Sequence, residues 1–204
     1  MTDTSIFSDT VELVENLRKN VDGEVRFDKM TRSLYSTDAS IYRIEPIGVV
    51  IPRNEEDVIA VVEFANSHQV PLLPRGGGTS LAGQTVGNAI VVDFTKYMRN
   101  LLECNVEDGW VRVQPGIVLD ELNNLITSTG YHFAPDPSTS NRASVGGALG
   151  NNSCGAHSVM WGKTVDNTLE MRAVLSNGDI ASWGSVSRNT LSEKIRSNNL
   201  EASI

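Results

Sequence analysis

PRGGGTSLAG, residues 74–83, is the part of this sequence most diagnostic of its fold. It follows the apolar residues 71–74, which predict a buried strand. Three consecutive glycines allow the backbone to turn successive N–H groups inward, and such a concave nest binds phosphate oxygens. Thr79 and Ser80 add hydroxyl donors, and Arg75 adds a positive charge. The stretch predicts an anion site made largely of main chain.

Two familiar phosphate motifs are excluded. No Gly-Lys-Ser/Thr ends the stretch, so it is not a Walker loop. Leu81 stands where the dinucleotide fingerprint needs its third glycine. A flexible turn between two strands remains the structural alternative.

A second glycine segment, residues 134–155, reads APDPSTSNRASVGGALGNNSCG. Its prolines stiffen the beginning, and Ser144 is placed to cap a short helix at Gly146 and Gly147. Helix N-termini favour anions, and loops of this length are more often functional than idle. We expect a second anion site here, with an ordinary surface loop as the alternative.

The charge distribution supports both expectations. The 204 residues hold 17 basic and 25 acidic side chains, a formal charge of -8. Residues 71–92 and 137–165 contain no acid and ten of the 17 glycines. Their three basic residues give +3, so the remaining 14 basic and 25 acidic residues give -11.

Composition excludes several classes of protein. The acidic balance argues against binding nucleic acid or a membrane surface through bulk positive charge. No secretion signal or membrane-spanning run is evident, so we expect a cytoplasmic protein. Cys104 and Cys154 are too few for a disulfide framework, and three scattered histidines do not indicate a metal site.

Periodicity predicts an α/β unit in the first half of the chain. The expected elements are a helix over 10–20, a strand over 47–51, a helix from the capping residue Asn54 to about His68, and strands over 71–74 and 89–94.

The second half is expected to form mainly antiparallel strands with helices. The expected elements are strands over 101–106 and 110–114, a helix over 117–129 that ends at Gly130, a hairpin over 169–183, and a helix from Thr190.

We therefore divide the chain into an N-terminal helical segment (1–33), a first lobe (34–100) and a second lobe (101–204). The helical pattern after Thr190 stops without a closing strand. We expect a piece of a longer polypeptide from which a substrate domain is absent.

The motifs PRGGGTSLAGQ, PDPSTSNRASVGGALGNNSCGAHS and WGKTVDN resemble the PCMH-type FAD-binding domain of the vanillyl-alcohol oxidase and p-cresol methylhydroxylase superfamily. Within it they most resemble the large FAD-linked dehydrogenases of D-2-hydroxy acids, the D-lactate, glycolate and D-2-hydroxyglutarate group. The resemblance extends from about Leu34 to Trp183. It implies an α+β fold whose two lobes close on FAD.

The resemblance also implies the cofactor contacts. The first glycine loop would hold the pyrophosphate, and the second segment would flank the pyrophosphate and the isoalloxazine ring. The implied residues are Arg75, Gly76, Gly77, Gly78, Thr79, Ser80, Pro135, Asp136, Pro137, Ser138, Ser144, Val145, Gly146, Gly147, Gly150, Asn151, Asn152, Ser153, Cys154 and Gly155. FAD would be held non-covalently, with a covalent link to His157 as the alternative.

The implied reaction is oxidation of a D-2-hydroxy acid by hydride transfer to flavin N5. The resemblance places the catalytic groups mainly in the absent C-terminal domain and leaves the electron acceptor open. It allows a C-terminal iron–sulfur domain, and peripheral binding at the inner membrane through a redox partner. The alternatives are a non-catalytic FAD-binding fragment and a reductase on the same flavin fold.

Overall fold

The computed structural model describes residues 13–197 and 199–204. The predicted helix over 10–20 is helical over its described part, residues 13–20, which we call α1; residues 10–12 lie outside the described residues. The other α-helices are α2 (Lys29–Leu34), α3 (Glu55–His68), α4 (Leu119–Ile126), α5 (Val145–Asn151), α6 (Ser158–Trp161) and α7 (Arg188–Arg196). The strands are β1 (Glu24–Arg26), β2 (Gly48–Ile51), β3 (Leu72–Arg75), β4 (Ile90–Asp93), β5 (Leu101–Asn105), β6 (Trp110–Val113), β7 (Glu170–Val174) and β8 (Ile180–Gly184).

A four-stranded mixed sheet with the order β1-β2-β4-β3 forms the first half of the molecule. Strands β2 and β3 run parallel to β4, and β1 pairs antiparallel with β2. The parallel component predicted from the sequence is confirmed. Every residue of β2 and β4 is buried, as expected for parallel strands covered on both faces.

Alternation along the central strands builds a core on each face of this sheet. On one face Val50, Ile90 and Val92 pack with Leu17 of α1 and Val61 of α3. The opposite face presents apolar side chains from the same strands, packed against tyrosines and a leucine: Val49, Ile51 and Val91 against Tyr35, Leu73 and Tyr97. Successive residues of a strand point to opposite faces, so these short strands supply two cores.

Helix α3 begins as predicted. The Asn54 side chain accepts a hydrogen bond from the Asp57 N–H at 2.8 Å. The buried Asp57 carboxylate accepts the N–H groups of Asp22 and Arg53, both at 2.7 Å. The first turn of α3 therefore anchors two loops beside the sheet.

Strand β1 was not predicted, since its sequence, EVR, has little apolar character. Gly23 allows the chain to enter the sheet, because a Cβ there would lie 2.2 Å from the Ile51 carbonyl oxygen. Glu24 then accepts hydrogen bonds from Lys96, from Tyr97 at 2.8 Å and from Arg26 at 2.7 Å. Polar side-chain contacts thus fix a strand that hydrophobic periodicity does not indicate.

The second half contains two antiparallel hairpins, β5–β6 and β7–β8, as predicted. The predicted helix over 117–129 is α4 followed by a 3₁₀ turn over Thr127–Thr129, and Gly130 ends it in the left-handed conformation (φ 79°). Helices α4 and α5 bury Ile117, Leu119, Leu122 and Val145 in a second core. A groove of about 1830 Å³ runs between α3 and the two hairpins.

The contacts of Glu24 make a prediction for acid stability. Hydrogen bonds from Lys96, Arg26 and Tyr97 lower the pKa of Glu24 from 4.5 to about 2. A lowered carboxyl pKa stabilises the fold above the unfolded-state value, and this contribution is lost as pH falls towards the folded-state value. We expect Glu24→Gln to cost ~0.5–1 kcal/mol of unfolding free energy at pH 5, the range for exposed ion pairs. The difference should shrink as pH falls below about 4.5 and should be largely lost at about pH 2.

Urea denaturation at pH 5, 4, 3 and 2 measures this difference, with Glu107→Gln in the exposed β5–β6 turn as the matched control. A gap between native protein and Glu24→Gln that stays constant across this range would contradict the assignment.

Candidate cofactor site

The two glycine-rich stretches, the glycine loop (residues 75–80) and the second glycine segment (residues 134–155), lie against each other. A Cβ at Gly76 would lie 2.1 Å from the Ser144 hydroxyl oxygen, and a Cβ at Gly77 would lie 2.2 Å from the Arg142 carbonyl oxygen. Side-chain atoms cannot occupy those positions, so only glycine permits this approach. Asn151 adds a longer hydrogen bond from its amide to the Ser80 hydroxyl at 3.4 Å. The sequence predicted a site on each lobe, and the structure brings the two together.

The glycine loop, residues 75–80, presents unpaired main-chain donors. Among the described residues, the N–H groups of 76–80 donate to no protein acceptor. Gly78 has φ 65°, in the left-handed region that favours glycine. A run of unpaired N–H groups with a turn of this kind is the arrangement that binds anions through the main chain.

The Arg75 guanidinium lies beside Gly78, where a Cβ would meet its Nη2 atom at 2.7 Å, and its donors are used by main-chain carbonyl groups. It donates to three carbonyl oxygens: those of Thr37 at 2.9 Å, Thr85 at 3.0 Å and Tyr35 at 3.4 Å. It also lies 5.3 Å from the centre of the Tyr35 ring. In this structure Arg75 therefore braces the loop, whereas the sequence suggested a charge aimed at the anion.

Asp93, the pairing partner of Arg75 in β4, holds the same corner. It is buried and accepts the Tyr35 hydroxyl at 2.5 Å. It also accepts the N–H and hydroxyl groups of Thr95, at 2.8 and 2.7 Å. Burial and the hydrogen bond to Asp93 raise the pKa of Tyr35, so its hydroxyl remains a donor near neutral pH.

The predicted helix at the second segment is α5, capped as expected by Ser144, which accepts the Gly147 N–H at 3.3 Å. The Val145 N–H donates to the Ile117 carbonyl at 2.9 Å, and the Gly146 N–H donates to the Pro115 carbonyl at 2.8 Å. The first amides of α5 are therefore occupied by protein acceptors. A Cβ at Gly146 would also lie 2.7 Å from Pro115, so this helix start serves packing between segments.

The two ends of the second segment meet at Asp136. A Cβ at Gly155 would lie 2.0 Å from the Asp136 carbonyl oxygen. The Asp136 carboxylate accepts the His157 N–H at 3.2 Å and contacts His157 Nδ1 at 2.5 Å. The hydrogen bond from His157 lowers the pKa of Asp136, which keeps the carboxylate ionised.

Trp161, the first residue of the WGKTVDN motif, is 42% exposed. It stacks on His157 with ring centres 4.8 Å apart, and its edge meets His132 at 5.3 Å. His157 is the residue that the resemblance offers as the alternative covalent link to FAD.

The remaining predicted residues divide by environment. Pro135 is buried. Three residues are of intermediate exposure: Pro137, Thr79 and Ser153. Five are exposed: Ser138, Gly150, Asn151, Asn152 and Cys154. Asn152 ends α5 in the left-handed conformation, and its side chain accepts the Val165 N–H at 3.1 Å. The Ser153 carbonyl accepts the buried Thr164 hydroxyl at 2.8 Å. These two residues tie the segment to its own continuation.

Sequence reasoning missed Tyr35 and Asp93, which brace the glycine loop, and Asp38, which accepts the Thr85 hydroxyl at 2.9 Å. Their partners lie 47 to 58 positions away, so no local pattern could have identified them. In the described part of the chain, no cluster of three or more His, Cys, Asp or Glu side chains is placed to hold a metal ion. Over the same residues, no helix is long and apolar enough to cross a membrane.

Comparison with known proteins identifies the family. Residues 46–184 match the model of the FAD binding domain family. The chain is 44% identical over 172 residues to D-2-hydroxyglutarate dehydrogenase of Pseudomonas putida, covering 82% of this chain and 17% of the relative. It is 34% identical over 169 residues to glycolate oxidase subunit GlcD of Bacillus subtilis, covering 80% of this chain and 36% of that subunit.

Solved structures support the fold. An alkyldihydroxyacetonephosphate synthase superposes with a TM-score of 0.76 at 22% identity, covering 88% of this chain and 35% of the other. p-Cresol methylhydroxylase superposes with a TM-score of 0.72 at 18% identity, covering 86% of this chain and 35% of the other. The predicted α+β PCMH-type fold is confirmed, and the chain spans less than a fifth of the Pseudomonas putida relative. The chain belongs to the FAD binding domain family.

Proposed function

We propose that this chain binds FAD between its two glycine-rich stretches. The observation that carries the proposal is the run of unpaired N–H groups over residues 76–80, held against the second segment by contacts that only glycine permits. The absence of acidic residues from positions 71–92 and 137–165 favours a dianionic pyrophosphate there. Family membership supplies the identity of the ligand.

The residues present fit such a group. Gly76, Gly77, Gly78, Thr79 and Ser80 would hold the pyrophosphate through main-chain donors and two hydroxyls. From the second segment, Pro135 to Ser138 and Asn151 to Gly155 would line the other side. Ser144 to Gly147 would contribute by packing, because the N–H groups of 145–147 are already used.

Bound FAD would supply the hydride acceptor for an oxidation. This chain would then bind and orient FAD and exclude water from it. Arg75 and Asp93 would keep the loop in its binding conformation before the cofactor arrives, and such preorganisation improves affinity. Non-covalent binding is the proposal, since His157 Nδ1 is already engaged by Asp136.

We further propose that the whole protein oxidises a D-2-hydroxy acid of the D-2-hydroxyglutarate, glycolate or D-lactate class. The support is that relatives with these names share 34 to 44% identity over most of the chain. Groups that bind the substrate carboxylate and accept the hydroxyl proton would lie outside these residues.

A second candidate function is an FAD-binding module without turnover of its own. It is supported because this chain covers only a small part of the length of its relatives. A cytoplasmic location and an iron–sulfur domain stay predictions.

Titration of the purified chain with FAD tests the first proposal. We expect saturable quenching of flavin fluorescence at one FAD per chain, and a shifted flavin absorption spectrum after gel filtration. Heating in acid should release all of the flavin, because the link is non-covalent. Absence of quenching and of bound flavin would overturn the proposal.

The steric contacts predict which glycines matter. Gly77→Ala forces its methyl group against the Arg142 carbonyl, so the two stretches must separate, and we expect FAD affinity to fall about tenfold or more. Gly77→Glu adds a negative charge and should abolish binding. Gly87→Ala is the matched control, because its Cβ would meet only Leu73 at an ordinary 3.4 Å. Equal FAD affinities for Gly77→Ala and Gly87→Ala would show that the loop is assigned wrongly.

Dye reduction tests the proposal that the catalytic groups lie outside this chain. The FAD-loaded chain is expected to leave a dye acceptor unreduced with D-2-hydroxyglutarate, glycolate or D-lactate, because substrate-binding groups lie elsewhere. A parallel assay of the full-length Pseudomonas putida relative gives the positive control. Turnover by the 204-residue chain itself would contradict the placement of the catalytic groups.

A further inference from the structure

Asp136 and His157 join the beginning and the end of the second glycine segment, 21 positions apart. Both oxygens of the carboxylate are used. Oδ1 accepts the His157 main-chain N–H at 3.2 Å, and Oδ2 lies 2.5 Å from His157 Nδ1. Two bonds to one residue fix both the main chain and the ring of His157.

These two bonds have no substitute nearby. Among the described residues, they are the hydrogen bonds that connect residues 134–138 with residues 152–158. Other bonds of residues 152–158 run within that stretch, back to α5, or onward to residues 160–165. Those bonds would hold residues 152–158 in place but would leave the distance to Pro135 free.

Packing also brings Gly155 and Asp136 close together. Gly155 lies so close to Asp136 that a Cβ would meet its carbonyl oxygen at 2.0 Å and Oδ1 at 2.2 Å. The His157 ring is also held from its other side by stacking on Trp161, with 25° between the ring planes. Trp161 in turn meets His132, which precedes the segment. The hydrogen bonds and the stacking are separate contacts and can be removed separately.

We propose that His157 is a positioning residue for the cofactor, acting through Asp136. This role rests on the proposed FAD function: the Asp136–His157 pair sets the spacing between residues 135–138 and 152–155 before FAD binds. Without it, binding would have to order this segment, and that ordering opposes binding. The Asp136 carboxylate is then a structural acceptor and not a ligand of FAD.

Two substitutions at one position separate the contacts. His157→Asn places an amide donor close to the position of Nδ1 and removes the ring, so it keeps the bond to Asp136 and loses the stacking. His157→Phe keeps the stacking on Trp161 and loses the side-chain donor. We expect FAD affinity within about twofold of the native value for His157→Asn and about fivefold weaker for His157→Phe, in line with an exposed pair.

Asp136→Ala also removes the acceptor of the His157 main-chain N–H, so it should weaken FAD binding at least as much as His157→Phe. Adding His157→Phe to Asp136→Ala should weaken binding no further, because the side-chain bond is already lost. In the cofactor-free protein, the Gly155 amide, which donates to Ser158, should exchange hydrogen faster in His157→Phe than in His157→Asn. His132→Phe is the control, since it changes a neighbour of Trp161 that does not contact Asp136.

The outcomes separate this inference from the proposed function. Failure of the native chain to bind FAD would remove the proposed function. Native binding with equal affinity for His157→Phe would overturn the positioning role alone. A weaker His157→Asn than His157→Phe would assign the effect to stacking and would also overturn it.

Discussion

The close approach of Gly76 and Gly77 to Arg142 and Ser144 is the contact on which the rest of this structure depends. The Ser144 hydroxyl oxygen and the Arg142 carbonyl oxygen lie 2.1 and 2.2 Å from where a Cβ of Gly76 and of Gly77 would stand, so the glycine main chain contacts the second stretch directly. Each stretch belongs to a different half of the molecule. The four-stranded sheet carries the first, and the core of α4 and α5 carries the second. The folding of both halves is therefore needed to form one site.

Side chains around this contact act mainly as scaffold, and the main chain supplies the donors. The guanidinium of Arg75, the charged residue of the glycine loop, donates its hydrogen bonds to the carbonyl oxygens of residues 35, 37 and 85. Asp93 fixes the same corner from β4. Among the described residues, the N–H groups of 76–80 have no protein acceptor and remain available to a ligand. Main-chain donors of this kind can bind an anion without a lysine.

Much of the fold could be predicted because its signals are local. Asn54 and Gly130 act at the helix ends that their residue types favour, and the buried strands β2 and β4 are short apolar runs. Strand β1 and helix α2 could not be predicted from hydrophobicity. Strand β1 depends on partners more than 70 positions away, and α2 buries none of its residues. Asp28, which accepts the Thr31 N–H, was the one local sign of α2.

The same distinction applies to the site. Glycine clusters and the absence of acids pointed to the two stretches, since both properties can be counted along the chain. The sequence does not show which N–H groups remain free, because that depends on acceptors from distant parts of the chain. Pro115 and Ile117 occupy the amides of Gly146 and Val145, although a glycine-rich helix start suggests an anion site. The sequence therefore pointed to the two stretches of the proposed site, whereas the division between donors and packing surface required the tertiary structure. It follows that the glycine loop, and not α5, should dominate the affinity for a phosphate-bearing ligand.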